Sequence, residues 1–346
     1  MSSILITLPS GIGDAIQSLV GLRIIEEFFP SSTIVVLVEP NIQGLLSGHF
    51  SKNVSFLSNR SLSFFQNKQE FDVLVDFNGL PLLHAKLASH RYKKIITHTC
   101  FVDPAIKEGA DCIYVDNSSI INTPFFEARG HEPKMAWTLY AKMANLLLPN
   151  DVQLLHFNME SLLRTRVSKH QKIKPNRNSV VAIFPGGSSK DKHWPISKYL
   201  KLIELLIRSG FEVRVFIGKK ELCYMKHFSR KGCCVVFNKR IDKLIELNAD
   251  LDFAISNDTG LMHIIGALGI GLLGIFLDTT PQSWFTYNGN KQGYITKKYS
   301  NCRRYQTSSS VFDVFRYAKF LSQRSITSRV RNKQFKKLGR NITIRS

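Results

Sequence analysis

No apolar run in this 346-residue chain reaches the roughly 18 residues that a bilayer-spanning helix needs. The longest candidate, Ile264 to Leu277, is short and broken by glycines. The opening Met1-Ser2-Ser3 runs straight into strand-like sequence without a basic region, so no secretory signal is expected. Six cysteines are present, but none makes a C-x-x-C pair, and the neighbours Cys233 and Cys234 are a poor frame for a disulfide or a metal. Reduced thiols of a cytoplasmic protein are expected. The spacing G-x-x-x-x-G-K-[ST] is missing, so ATP hydrolysis is not indicated, and so is G-x-G-x-x-G, which weakens a dinucleotide reading. Acidic residues are scarce in one region. Residues 279–346 hold 15 Lys and Arg against one acid, Asp313, a balance of +14 out of the chain's +21.

What is present is a repeated α/β grammar. Ile4 to Leu8 reads as a buried strand, followed by the glycine turn Pro9 to Asp14. A helix with Ile16, Leu19, Val20, Ile24 and Phe28 at helical spacing comes next, with Glu26 and Glu27 on its other face. Strands are expected at 33–38, 54–58, 72–77, 93–98 and 112–116, helices at 40–47 and 80–90, and a strongly amphipathic helix from Glu132 to Leu148. The polar, basic stretch 168–178 reads as a linker. The pattern then restarts: strands at 180–184, 212–217 and 234–237, and helices at 196–208 and 220–230. A last strand–turn–helix–strand unit spans 250–276. The expected organisation is an N-terminal domain at 1–167, the linker, a second domain at 179–309, a helix at 310–325 and a basic tail at 326–346. Two Rossmann-like domains facing each other across a cleft are the predicted architecture.

Two turns carry the chemistry. Ser256-Asn257-Asp258-Thr259-Gly260 separates a buried strand from a helix, and ligands of open α/β sheets bind where helix N-termini meet strand ends. Asp258 and Thr259 are candidate caps, Gly260 admits close backbone approach, and His263 lies one helical turn further in. Pro185-Gly186-Gly187-Ser188-Ser189 can aim N–H and hydroxyl groups at a phosphate, with Lys190, Lys192 and His193 adding positive charge. Each turn has a plain alternative, a capped helix or a polar surface loop.

The ordered set GIGD (11–14), PGGSSKDKHWP (185–195), IGKKE (217–221) and SNDTGLMH (256–263) resembles glycosyltransferase family 9, the lipopolysaccharide heptosyltransferases. The match runs from residue 4 to about residue 286. The resemblance implies a GT-B fold, a nucleotide-diphosphate sugar donor such as ADP-heptose, an inverting reaction, and neither metal nor cofactor. It implies that Asp14 is the general base, with Gly11 and Gly13 shaping its turn. Lys192, with Ser188 and Ser189, resembles the diphosphate clamp, and Glu221 the acid that bonds the ribose. Asp258, Thr259, Gly260, Leu261 and His263 resemble the contacts to donor sugar and phosphate. The chain departs from the family where Thr7-Leu8-Pro9-Ser10 lacks an arginine and Gln17 to Val20 lacks a proline. Around Asn238-Lys239-Arg240 the residues do not suit an adenine slot, so the base stays open.

Acceptor recognition is expected to fall to the N-terminal domain, where Lys86, Arg91, Lys93 and Lys94 form a basic cluster and Arg60 and Arg129 are lone candidates. A lipid-linked or otherwise anionic glycan is the expected acceptor, met at the inner face of the cytoplasmic membrane, with the basic tail touching anionic lipid. Nucleic acid is the competing partner for such a charge, but no RRM, KH or helix-turn-helix pattern accompanies it. A family member that binds a nucleotide sugar without transferring it, or one using another donor or acceptor, is the remaining alternative.

Overall fold

A computed structural model describes residues 3–98, 104–116, 136–148, 163, 179–237, 251–279, 281–284 and 292–296, together with 311, 314–316 and 319. The expected linker, the basic tail, and Arg129 and Asn238 to Arg240 lie outside these residues. The chain divides into two compact units. One comprises Met1–Lys169 with Arg240–Leu247 and Thr280–Thr286; the other comprises His170–Lys239, Asn248–Thr279 and Tyr287–Ser346.

The first unit holds six parallel strands, β1 (Ser3–Thr7), β2 (Thr33–Val38), β3 (Val54–Ser58), β4 (Glu70–Asp76), β5 (Arg91–Thr97) and β6 (Asp111–Tyr114), in the order β3-β2-β1-β4-β5-β6. Between them run α1 (Ile12–Phe28), α2 (Pro40–Leu46), α3 (Leu62–Gln66), α4 (Pro81–Leu87) and α5 (Pro104–Lys107), with α6 (Ala136–Asn145) after the last strand. This order reverses between β1 and β4, which makes a crevice at their carboxyl ends.

One expectation for α1 fails instructively. Phe28, placed on the core face by its spacing, is exposed, while Gln17, Ser18, Arg23 and Glu26 are buried. The reason is a second cover: α6 packs on α1, so the helix has no free polar face. Gly21 permits this approach, since a Cβ there would fall 2.5 Å from Phe77 Cζ and 2.6 Å from the Tyr140 carbonyl oxygen. Buried Glu26 is satisfied by Arg23 Nη1 at 2.6 Å and by the backbone N–H and hydroxyl of Ser51, and Arg23 lies over the Phe50 ring. Burial opposes ionisation of Glu26, but Ser51 and Arg23 together hold its pKa below the usual value.

The second unit repeats the plan with β7 (Val180–Phe184), β8 (Glu212–Ile217), β9 (Cys234–Phe237), β10 (Phe253–Asn257), β11 (Gly271–Phe276) and β12 (Gln292–Thr296). Its order, β12-β11-β10-β7-β8-β9, is that of the first sheet counted from the other edge, and all pairings are parallel. Its helices are α7 (Ile196–Arg208), α8 (Met225–Ser229) and α9 (Gly260–Ala267); 3₁₀ turns occupy Lys190–Lys192 and Lys219–Tyr224, and α10 (Pro281–Trp284) belongs to the first unit. The five residues of β7 are all buried, as a parallel strand covered on both faces requires. Trp194 and Tyr199, both fully buried, meet edge to face at 4.8 Å and join the core of Val181, Ile183, Val215 and Phe253.

The expected helix at 220–230 divides into the 3₁₀ turn and α8, and the helix at 132–148 is described only from Ala136. Five scattered positions of the expected 310–325 helix are described, and all five are helical. Cys112, Cys223, Cys233 and Cys234 are free, and burial pushes the Cys233 thiol up to about 11.

Candidate active site

In the second unit the loops after β7, β8 and β10 gather at the carboxyl edge of the sheet, on either side of the strand pair where the order reverses. Their contents follow the register. Ser256 of β10 pairs with Phe184 of β7, which brings Asn257 opposite Pro185. Asn257 is fully buried, and its side chain accepts from the Trp194 N–H at 3.3 Å and the Tyr199 hydroxyl at 2.7 Å. It donates to the carbonyls of Pro185 at 2.7 Å and Gly186 at 3.1 Å. With Trp194 fixed on Asn257, the residue two before it reaches the residue one after: Lys192 Nζ donates to Asp258 Oδ2 at 2.8 Å. The K-x-W spacing is thus the reach of this loop along the end of β10.

Asp258 is buried to 5% exposure, and the Thr279 hydroxyl also donates to its Oδ2. His263 Nε2 stands 3.9 Å from its other oxygen. Burial pushes the His263 pKa down to about 4; the Asp258 charge opposes this and Lys192 adds to it, so the imidazole is neutral at pH 7. Asp258 and Thr259 do not cap α9 through their side chains, contrary to expectation. Thr259 holds the N-cap position through its backbone, and its Oγ1 is buried with no hydrogen-bond partner; Asp258 is taken by lysine and threonine instead. Gly260 and Leu261 open the helix, half-buried, and leave its first N–H groups at the crevice.

Glu221 lies in the first turn after Gly218. It is buried, and its Oε2 accepts from the Gly218 N–H at 3.0 Å. Its Oε1 packs so tightly on the β7 loop that a Cβ on Gly186 would fall 3.0 Å away. Ser188 and Ser189 are exposed on the same loop. The structure therefore brings Lys192, Glu221, Asp258, Thr259, Gly260, Leu261 and His263 together with the two serines on one edge.

In the first unit Asp14 lies in the first turn of α1, half-buried, directly after the β1 loop. Gly11, not Asp14, is the N-cap, and a Cβ on Gly11 would fall 2.6 Å from Asp14 Oδ2. Gly13 follows it within the turn. The carboxylate folds back over the glycine, at the carboxyl end of β1. Beside it, Asp76 ends β4 fully buried and collects the Thr7 hydroxyl at 2.6 Å, His84 Nε2 at 2.7 Å, the Thr97 hydroxyl at 3.0 Å and the Gly79 N–H at 3.1 Å. Burial works against its charge, yet His84, Thr7 and Gly79 hold its pKa below the usual carboxylate value. The sequence reading missed this cluster, whose only signal is an acid closing an apolar strand.

The acceptor candidates are scattered. Arg60 follows β3 at the carboxyl edge, where it meets Glu39 at 3.2 Å. Arg91 begins β5, at the opposite edge, and pairs with Glu108 at 3.2 Å. A seven-residue strand spans about 20 Å, so Arg91 is removed from the Asp14 turn by that order. Lys86, in the last turn of α4, lies near the Phe65 ring. Among the described residues no group of three or more His, Cys, Asp or Glu side chains could hold a metal ion, and no helix is long and apolar enough to cross a membrane.

Comparison with known proteins agrees with this geometry. The sequence model of glycosyltransferase family 9 (heptosyltransferase) matches residues 142–311, which include the β7, β8 and β10 loops. Over that stretch the chain resembles glycosyltransferase family 9. Lipopolysaccharide heptosyltransferase 1 of Campylobacter coli is 22% identical over 329 residues, covering 86% of this chain and 91% of that protein. Lipooligosaccharide heptosyltransferase 2 of Haemophilus ducreyi is 28% identical over 162 residues, 43% of this chain and 46% of that one. Among solved structures, E. coli heptosyltransferase WaaC with ADP superposes with a TM-score of 0.71 at 17% identity, over 92% of this chain and 99% of that one. E. coli ADP-heptose lps heptosyltransferase II gives 0.67 at 16%, over 94% and 99%. With these likenesses the chain is a glycosyl-transferring enzyme with two parallel-sheet α/β units of the GT-B fold.

Proposed function

We propose that the chain transfers a heptose, or a related sugar, from an ADP-sugar to a hydroxyl of a lipopolysaccharide inner core or a similar anionic glycan, with inversion at the anomeric carbon. The observation that carries the donor half is Lys192 held at 2.8 Å from Asp258 beside the first N–H groups of α9. A lysine ammonium has three donors, so Lys192 can keep Asp258 and still offer hydrogens to a diphosphate. The free N–H groups of α9 and the β7 loop add to the same anion site. Asp258 accepts from sugar hydroxyls, Thr259 offers its unpartnered hydroxyl, and Glu221 accepts from the ribose. Asp14 takes the proton of the attacking hydroxyl; the anomeric carbon–oxygen bond to phosphate breaks as the new bond forms on the opposite face. One base is enough, because the diphosphate leaves as a stable anion once Lys192 holds it. We assign this neutralisation to lysine and invoke neither metal nor cofactor.

Calorimetric titration with ADP, UDP, GDP and ADP-heptose tests the reading. ADP and ADP-heptose should bind best, and Lys192→Ala should cost about 1.5–3 kcal/mol, roughly 10- to 150-fold in Kd. Tighter binding of UDP or GDP would end the heptose assignment, and no binding at all would end the donor site. We further propose that the enzyme works in the cytoplasm at the inner membrane face and that the basic tail attaches it there, at about 1 kcal/mol for each nearby Lys or Arg. A chain lacking residues 326–346 should then bind anionic vesicles more weakly at physiological salt; equal binding would remove the tail from the account.

A further inference from the structure

We propose that Asn257 is a positioning residue: its side-chain amide sets the β7 loop so that Lys192 stands against Asp258 and the donor diphosphate. The inference rests on the donor site proposed above and concerns a residue that makes no contact with the reacting atoms.

Three features of Asn257 carry it. The first is saturation. An amide side chain offers two acceptor positions and two hydrogens. The oxygen receives the Trp194 N–H and the Tyr199 hydroxyl; the nitrogen gives to Pro185 and Gly186. No other side chain of this size has two of each, so aspartate, serine or leucine would leave carbonyls or an N–H buried without a partner.

The second is where the partners lie. Pro185 and Gly186 are the first two residues of the β7 loop, and Trp194 ends it. One buried side chain thus pins both ends of the segment that carries Ser188, Ser189 and Lys192. Proline contributes no N–H of its own to the ladder at this point, so the loop has no backbone hydrogen to offer the neighbouring strand there.

The third is repetition. In the first unit, Asn78 Nδ2 donates to the Leu8 carbonyl at 2.9 Å, and Leu8 is the first residue after β1 as Pro185 is the first after β7. Both sheets use an asparagine amide, from the last residue of the fourth strand in one and two residues beyond it in the other, to hold the loop of the first strand, at the point where strand order reverses.

The test combines a ligand-free readout with a coupled one. Amide hydrogen exchange at Trp194 should quicken at least tenfold in Asn257→Ala, while exchange within β8 stays as in the wild type. Asn257→Asp keeps the two acceptor bonds, so Trp194 should remain protected while ADP affinity falls at least tenfold through loss of the two donors. This second variant decides the matter if Asn257→Ala does not fold. Tyr199→Phe removes one bond to the oxygen only; it should lower stability yet leave ADP affinity within twofold. In a double-mutant cycle, Lys192→Ala should lose most of its effect on ADP affinity once Asn257 is already alanine, because the lysine is no longer placed. A purely structural asparagine would give additive losses, and that outcome, unchanged exchange at Trp194 in Asn257→Ala, or unchanged ADP affinity in Asn257→Asp, overturns the proposal. If the wild type binds no ADP while the Trp194 amide responds to Asn257→Ala as stated, the nucleotide reading is removed and the loop-setting role stands.

Discussion

Lowering the pH should destabilise the second unit through a single imidazole, and the size of the effect can be worked out in advance. His263 is buried in α9, where burial and Lys192 push its pKa down to about 4 against the pull of Asp258. In the unfolded chain it returns to about 6.5. Between those values the unfolded state binds a proton that the folded state does not, so stability falls as pH drops. The contribution is fully present above about pH 6.5 and is exhausted near pH 4. At 1.36 kcal/mol per unit the whole span is about 3 kcal/mol, and at pH 5 the loss is about 2 kcal/mol. Carboxylates titrate in the lower part of the same window, so the wild type alone does not isolate the effect. His263→Gln, which cannot titrate, supplies the reference. Urea unfolding of both proteins at pH 7, 6 and 5 should show the wild type losing about 2 kcal/mol more than the variant by pH 5. Parallel pH dependences for the two proteins would refute the argument, because they would mean that the imidazole stays solvated or charged in the fold.

Other perturbations have equally definite outcomes. Gly21→Ala should cost about 1–3 kcal/mol in chemical unfolding, since its Cβ would overlap Phe77 and the Tyr140 carbonyl where α6 covers α1. Gly186→Ala pushes on Glu221 Oε1 and should weaken ADP binding, measured by calorimetry, with little loss of thermal stability; unchanged affinity would separate Glu221 from the nucleotide. His84→Ala strips the 2.7 Å partner from fully buried Asp76 and should cost about 3–5 kcal/mol, read as a lower unfolding midpoint.

The sequence made most of the scaffold readable because its strands are buried runs punctuated by glycine and proline. The expected strands at 33–38, 54–58, 180–184, 212–217 and 234–237 and the helix at 196–208 have the bounds found. Short α3, with five residues, and α5, with four, offer too little periodicity to be seen, and β12 is a short segment before a basic run. The polarity of α1 misled for a different cause: a residue's exposure depends on what the chain brings back later, and Arg23 and Glu26 are covered by partners from residues 49–51. The same limit applies to the site. Lys192, Asp258 and Glu221 stand out as charged residues at strand ends, whereas the importance of Asn257 lies entirely in carbonyls 71 and 72 residues away. Asp76 was overlooked likewise, because its four partners come from β1, β5, α4 and a turn.

The division of the chain into units has a practical consequence for anyone who would take it apart. Residues 280–286 belong to the first unit although they stand between β11 and β12 of the second. The Trp284 carbonyl there accepts from the Gln17 amide of α1 at 3.2 Å. A fragment that stops at the linker therefore forfeits a piece of its own architecture, and the complementary fragment carries a foreign insert between two of its strands. A cut at the linker leaves neither fragment equal to one unit. Recombining the two units between relatives would need grafts on both sides of that excursion, because a crossover placed at the linker alone would split the first unit.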